Sequence, residues 1–557
     1  MSLRNEQGKR KKVNDKRVEW ICSKKAALFL PFTLYLLTLS LPVQAAATPM
    51  LVQHATWGVN GGSSETGGNT FRFSLPNASL SGNCLVFALN YHYSATRKIT
   101  ITDNKGNSWP STPSVSVTDS GNVETTSLWV LPNATTGTQV ITVVFDASIL
   151  GVQGELSELY NIAVSAPVDG TTSNNGSTSP TITAGSFTPG NNNANGGNLI
   201  YNFSASINSN GLGPSAVPTG MTAGSGFTLL ATDYNLAVQV QTNLQTTSAA
   251  INPTITVSGI DGNTFNSVAL ALKIDTTKGT IPGSGIRIVH EAVVREDTAG
   301  ETSPYTFGFP SSGNLLVGML DVTAQGNAWS ATSDSKSNTW KQVATSANNV
   351  GQATYAANAT TDPTLMITVT WVGITANAEW HFYDITGAAT SPFDKEADMS
   401  ANTTIGTITG APSITPSTAN GLVLDTLTLG IGPADSISTP GGIFDNVPYT
   451  GELDNGTVNC GDAWQHVYNA ATSAISFAWH LTKQTSWAAT AVAFKAAVST
   501  PSPCDVNGDG VVNVVDVQLE VNMALGISPC TNPDGQCTVV QVQRVVNAAL
   551  GGQCVVP

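Results

Sequence analysis

From Thr48 to about Ala497 the apolar residues come in short runs separated by polar turns. Lys98–Thr102, Gln139–Phe145, Leu365–Trp371 and Gly421–Leu427 are rich in Val, Ile, Leu and Thr. Clusters of Asn, Gly and Ser divide these runs, and few segments repeat their apolar residues at helical spacing. That texture predicts strands throughout. The pattern changes near the C-terminus. Val517, Val521, Ala524 and Leu525 fall at i, i+4, i+7 and i+8, one face of a helix, and Gly526 stands where a left-handed cap is wanted. Twenty-five residues later Val542, Val546, Ala549, Leu550 and Gly551 repeat the pattern, with Gln518 matched by Gln543 and Asn522 by Asn547.

The strand-rich region says nearly the same thing twice. Ser81-Gly82-Asn83-Cys84-Leu85-Val86 matches Ser312-Gly313-Asn314-Leu315-Leu316-Val317 at an offset of 231. Asp103-x-Lys-x-Asn-x-Trp109 matches Asp334-x-Lys-x-Asn-x-Trp340 at the same offset. Tyr160-Asn161-Ile162 corresponds to Tyr383-Asp384-Ile385, and both copies end in an apolar run before Lys273 or Lys495. The expected fold is mainly β: two tandem repeat β-sandwich modules, of jelly-roll or immunoglobulin-like type, over residues 48–275 and 286–497. Each copy divides further into two smaller sandwiches, at Ser173–Ser179 and at Ser400–Thr404. Linkers are expected at 276–285, with Pro282, and at 498–503, with two prolines. The tandem modules resemble repeat sandwiches of secreted bacterial surface proteins, whose role is not established.

Between the second linker and the helical repeats lies DVNGDGVVNVVD, Asp505 to Asp516. A hard cation such as Ca²⁺ takes about six to eight oxygens, which one curled loop supplies. Asp505, Asn507, Asp509 and Asn513 recur at alternate positions, Val511 offers its backbone carbonyl, and Asp516 closes the loop. Gly510 permits the sharp turn at position six. An EF-hand loop ends in Glu; this one ends in Asp. A loop-helix unit occurring twice within residues 504–554, with Asp at position twelve, resembles a type I dockerin. The resemblance implies a calcium-binding module of residues 504–557 whose two related helices dock to a cohesin domain, commonly within polysaccharide-degrading complexes. Positions ten and eleven of the two loops, often hydroxyl-bearing in that family, are Val514-Val515 and Val539-Val540, and these are the candidate partner contacts. The second loop keeps Asn532, Asp534 and Gly535, but Cys530 and Gln541 replace its first and last acids, which predicts a weak or empty metal loop. A module this small needs staples. Its cysteines, Cys504, Cys530, Cys537 and Cys554, allow three pairings; Cys530 with Cys537 across the degenerate loop, and Cys504 with Cys554 clasping the ends, are the favoured ones.

Composition narrows the function classes. Charged residues make up only 11% of 557. Residues 1–45 hold nine Lys/Arg and three acids, which leaves 14 basic and 34 acidic residues beyond them, a net −20. That surface argues against nucleic acid and anionic membranes. The segment 1–47, basic and then apolar from Ala26 to Val43 before Ala45-Ala46-Ala47, reads as a secretory signal peptide. Its apolar run is also near signal-anchor length, the one route to a membrane; Pro31, Pro42 and the small-residue end favour cleavage. Export to the extracellular space or cell surface suits disulfides. Cys84 aligns with Leu315 and reads as a small buried hydrophobe, while Cys460 has no obvious mate.

The sandwiches carry no H-E-x-x-H, nucleophile elbow or P-loop. Trp109 and Trp340 are either sugar-stacking platforms or the lids of strand-turn-strand corners. Trp464, in an apparent polar loop beside Cys460 and Gly461, is expected to be an exposed ligand contact. A glycosidase needs two facing carboxylates, but Glu155 with Glu158 and Glu291 with Glu296 share no pattern between the copies. The expectation is therefore a secreted, non-catalytic binding or scaffolding protein, with calcium as its cofactor, a cohesin-like partner and a polysaccharide as candidate ligand. A dockerin-bearing glycoside hydrolase and a surface adhesin or structural protein are the alternatives.

Overall fold

The structure is a computed structural model describing residues 49–58, 69–92, 97–119, 121, 124–149, 151–177, 180–190, 197–208, 211–212, 220–233, 238–247, 249–259, 264–275, 278–296, 303–322, 328–345, 351–372, 378–429, 434–437, 443–444, 463–497, 502–507, 512–532, 535, 537–550 and 554. The expected signal segment lies outside them, as do Cys460, Asp509, Val511 and Asp534.

The two repeats are built as expected from short, mostly antiparallel strands, but they share one ten-stranded sheet. Its order from edge to edge is Trp340–Thr345, Gly351–Ala357, Leu315–Val322, Ala378–Thr386, Arg287–Glu296, Met50–Gly58, Gly151–Tyr160, Cys84–His92, Glu124–Leu131 and Val115–Asp119. The seam between repeats is a parallel pair, with His54 opposite His290, Ala55 opposite Glu291 and Thr56 opposite Ala292. These are the opening strands of the two copies, and the order of the remaining strands mirrors outward from this parallel pair.

Each half of this sheet is buried on both faces. In the first repeat Leu85, Phe87 and Leu156 pack beneath a three-stranded sheet of Thr70–Ser74, Val140–Phe145 and Ile99–Asp103. Val86, Ala88 and Cys84 face the other way, onto a six-stranded sheet through Tyr201, Phe203 and Leu270. The second repeat repeats the plan: Leu316, Trp380 and Phe382 meet Phe307 and Phe309 on one face, while Val317, Met319 and Tyr383 meet Leu424, Trp464 and Phe494 on the other. Middle strands covered on both faces read as continuous apolar runs rather than as alternation. Cys84–His92 and Gly421–Leu429 are of that kind. Cys84 is buried, as its alignment with Leu315 implied, and burial pushes its thiol well above the usual range.

The sub-sandwich boundaries differ from expectation. Ser173–Ser177 lies inside the strand Val168–Ser177, and Ser400–Thr404 inside Ala388–Ile414. In Val168–Ser177 the polar Asn, Ser and Gly mark an edge strand with an exposed face, not a break. The chain instead leaves the central sheet at Asn161, whose φ is 62°, and at Gly387, whose φ is 71°. The linker at 276–285 is pinned from Lys278 onward: the Asn161 amide donates to the Lys278 carbonyl at 3.0 Å, and the Thr280 amide to Asn83 Oδ1 at 2.8 Å.

Candidate functional site

The C-terminal module has two helices, Val514–Ala524 and Val539–Ala549. Asn513 caps the first, its Oδ1 accepting from the Val515 amide, and Asp516 completes a capping box. Gly526 takes the predicted left-handed conformation, φ 70°. Both favoured disulfides are present, Cys504–Cys554 with a Cα separation of 6.0 Å and Cys530–Cys537 with 5.8 Å. In the chain-entropy account, closing the 50-residue interval is worth about 4 kcal/mol. The Thr531 amide donates to the Met523 sulfur at 3.1 Å, which holds the approach to the second helix near the end of the first. Cys554, beyond the second helix, is tied to Cys504 near the start of the first. The helices therefore run antiparallel.

The apolar stripe read from the sequence is not the buried one. Asp516, Glu520 and Met523 are the buried residues of the first helix, and Gln541 and Val545 those of the second. Val517, Val521, Val542 and Val546 are only half-buried, and Leu525 and Leu550 are exposed. Loops and disulfides cover the face one residue earlier, so the stripe that looked like a core faces outward in part.

Asp516 closes the first loop. Its Oδ1 accepts from the amides of Val506 (2.8 Å) and Asn507 (3.1 Å), and its Oδ2 accepts from Asn513 (2.9 Å). Asp505 is 5% exposed and Asp516 0%. Asp505 and Asp516 are buried carboxylates and Asn507 and Asn513 carry amide oxygens, residue types whose chemistry fits a hard cation. Among the described residues, amides take three of the four acceptor sites on Asp516. Asn507 is exposed and Asn513 half-buried. Among the described residues no three His, Cys, Asp or Glu side chains converge as a metal group; the loop's third carboxylate, Asp509, lies outside them. In the second loop Asn532 is buried, and its Nδ2 donates to Glu520 Oε2 at 2.6 Å. A carboxylate from the first helix thus joins the degenerate loop, a pairing that no local spacing signals.

The tryptophan corners are alike in both repeats. Trp109 Nε1 donates to Asp103 Oδ2 at 2.7 Å and Trp340 Nε1 to Asp334 Oδ2 at 2.6 Å. The amides of Lys105 and Asn107 donate to Asp103, as do those of Lys336 and Asn338 to Asp334. Burial alone would raise the Asp103 carboxyl, but donors from Asn107, Lys105 and Trp109 hold it below the usual range. Both indoles are half-buried and pack against the cores. The corner accounts for the whole repeated motif. Trp464 requires correction: it lies in the strand Ala463–Asn469, is 0% exposed, and sits 5.2 Å from the His381 ring. No ligand can stack on it there.

The acids weighed as a hydrolytic pair lie inside the protein. Glu155, Glu158 and Glu291 are each 0% exposed; the side chain of Glu296 lies outside the described residues. Glu155 accepts from Thr56 Oγ1 (2.7 Å) and meets His54 Nδ1 at 2.9 Å. Desolvation drives His54 down to about 3 and pushes Glu155 well above the usual carboxyl range, so burial opposes the charged form of both partners in this 2.9 Å contact. The ring of His54 stacks on that of His290 across the seam, 4.0 Å apart and parallel to 1°. His290 in turn stacks on Phe309 at 4.6 Å. Asp384, pushed up to about 7 by burial, accepts from the Ser312 and Gly313 amides. Sequence reasoning missed this buried polar seam; its only trace is one histidine in each repeat's opening strand.

No family model matches the chain, and no curated protein matches it. Among solved structures it is similar to one described as the crystal structure of the STIV MCP, at 10% identity, covering 40% of this chain and 97% of that chain with a TM-score of 0.16. A likeness of that degree carries no argument about fold or function, so the functional reading rests on the residues and geometry above.

Proposed function

We propose that this chain is a secreted, non-catalytic binding and scaffolding protein. Its dockerin-like module, organised by calcium at Asp505, Asn507, Asp509, Val511, Asn513 and Asp516, docks to a cohesin-type domain on a second protein in an extracellular polysaccharide-degrading assembly. The observation that carries the reading is the matched exposure of apolar side chains in the two helical units. Val514 and Val539 are 76% and 78% exposed, Val515 and Val540 51% and 58%, and Leu525 and Leu550 68% and 66%. Fully burying a side chain of this kind is worth about 1.5–3 kcal/mol, so an isolated module that displays six of them forgoes that gain unless a partner covers them. The two disulfides support an oxidising, extracellular setting. The module's valines call for an apolar partner face rather than one that reads hydroxyls.

The test is titration of the full chain against a type I cohesin domain, with calcium and then with excess chelator. Saturable binding that is lost on chelation, and lost again in a Val514→Asp, Val539→Asp double variant, is the expected result. A calcium titration unchanged by Asp505→Ala defeats the site assignment. Absence of cohesin binding in calcium defeats the partner. Co-sedimentation of the chain with insoluble polysaccharides, with released sugar assayed in the same tubes, separates a targeting role from hydrolysis.

A further inference from the structure

At the seam between the repeats, on the side of the pinned linker, a cleft of about 290 Å³ opens to solvent. Val52, Leu80, Pro282 and Ile286 form its apolar walls, and Arg287 and Tyr468 its polar part. Most polar groups around it are already satisfied. The Tyr468 hydroxyl donates to Asn77 Oδ1 and accepts from the Ile288 amide at 3.0 Å. Asn77 Nδ2 donates to Gln53 Oε1 (2.8 Å) and to the Ile288 carbonyl (2.7 Å). Glu158, the acid whose field reaches Arg287, accepts instead from Gln53, Asn83 and the Leu80 amide.

Arg287 is the exception. Its Nη2 donates to the Val52 carbonyl, and among the described residues its buried Nε has no hydrogen-bond partner and its guanidinium makes no ion pair. Desolvation already weakens its hold on its proton. A half-buried guanidinium with no carboxylate in contact among the described residues is costly, and a carboxylate is the group whose geometry matches it.

We propose that this seam cleft binds a small organic carboxylate, its charge against the Arg287 guanidinium and its apolar body against Val52, Leu80, Pro282 and Ile286. The volume lies at the lower end of known small-molecule sites, about 300 Å³, which limits the ligand to roughly the size of benzoate. An acid of this class reaches the site either as a free metabolite or as the end of a peptide with an apolar last residue.

Isothermal titration of the full chain with sodium benzoate at constant ionic strength tests the site. Benzyl alcohol serves as the uncharged analogue and N-acetylvaline as the peptide-end mimic. One-to-one binding of benzoate, with benzyl alcohol at least tenfold weaker, is expected; tighter binding of N-acetylvaline assigns the source to a peptide end. Arg287→Gln should weaken benzoate at least tenfold. Ala78→Trp, which fills the cleft from an exposed loop position without touching the seam's hydrogen bonds, should do the same at an unchanged melting temperature. Three outcomes overturn the proposal: no saturable binding of either acid, equal affinity for benzyl alcohol, or full affinity in folded Ala78→Trp.

Discussion

The closing of the first loop by Asp516 lends itself to a quantitative test. Asp516→Asn keeps the shape of the side chain but removes its charge and turns one acceptor oxygen into a donor. The wild-type carboxylate accepts three amides at 2.8, 3.1 and 2.9 Å from a fully buried position. A hydrogen bond to a charged group contributes about 1.5–3 kcal/mol, and a buried donor left unpaired costs about 1–3 kcal/mol. Losing at least one such bond and weakening the others should lower local stability by about 3 kcal/mol. The measurement is hydrogen exchange by mass spectrometry on peptides covering residues 504–554, in excess chelator, so that hydrogen bonding is read without metal. About 3 kcal/mol corresponds to roughly a hundredfold faster exchange of the loop amides and the first helical turn. Val514→Asn, at a 76% exposed neighbouring site, should change exchange little. If Asp516→Asn exchanges within threefold of the parent, the carboxylate is not what closes the loop, and the geometric argument fails.

Other outcomes follow from the sandwiches. Trp109→Phe and Trp340→Phe should each cost about 1.5–3 kcal/mol in denaturant unfolding through loss of the indole–carboxylate bond, and by similar amounts, because the corners match; a cost in one repeat only would refute their equivalence. Asp384, raised to about 7, stabilises fully below the unfolded value near 3.8 and loses that contribution as pH rises to 7, so Asp384→Asn should flatten the stability profile between pH 4 and 7. His54, lowered to about 3, works the other way. Its contribution is full above pH 6.5 and is lost as pH falls toward 3, so His54→Gln should shallow the acid limb of thermal melts. Gly387→Ala presses a Cβ against the Gly285 carbonyl at a positive φ of 71° and should lower the melting temperature by more than Gly406→Ala, where the added Cβ meets nothing.

Much of this protein is legible in its sequence because local chemistry dictates it. Short apolar runs between Asn, Gly and Ser turns can only be strands, and the 231-residue offset fixes two copies of one plan. The cap at Asn513 and the left-handed Gly526 follow from spacing within a few residues, and the small size of the module calls for staples, though its four cysteines by themselves allow three pairings. Contacts across hundreds of residues were not legible. That the opening strands pair in parallel, stacking His54 on His290, depends on a backbone register no local pattern encodes. Trp464 looked exposed because its sequence neighbours are polar; the sheet packed over it decided otherwise. In the C-terminal module the sequence placed the helices but not their inward face, since a stripe of valines serves as readily for a partner as for a core. Burial is a property of what lies opposite a side chain in space, and only the tertiary structure supplies that.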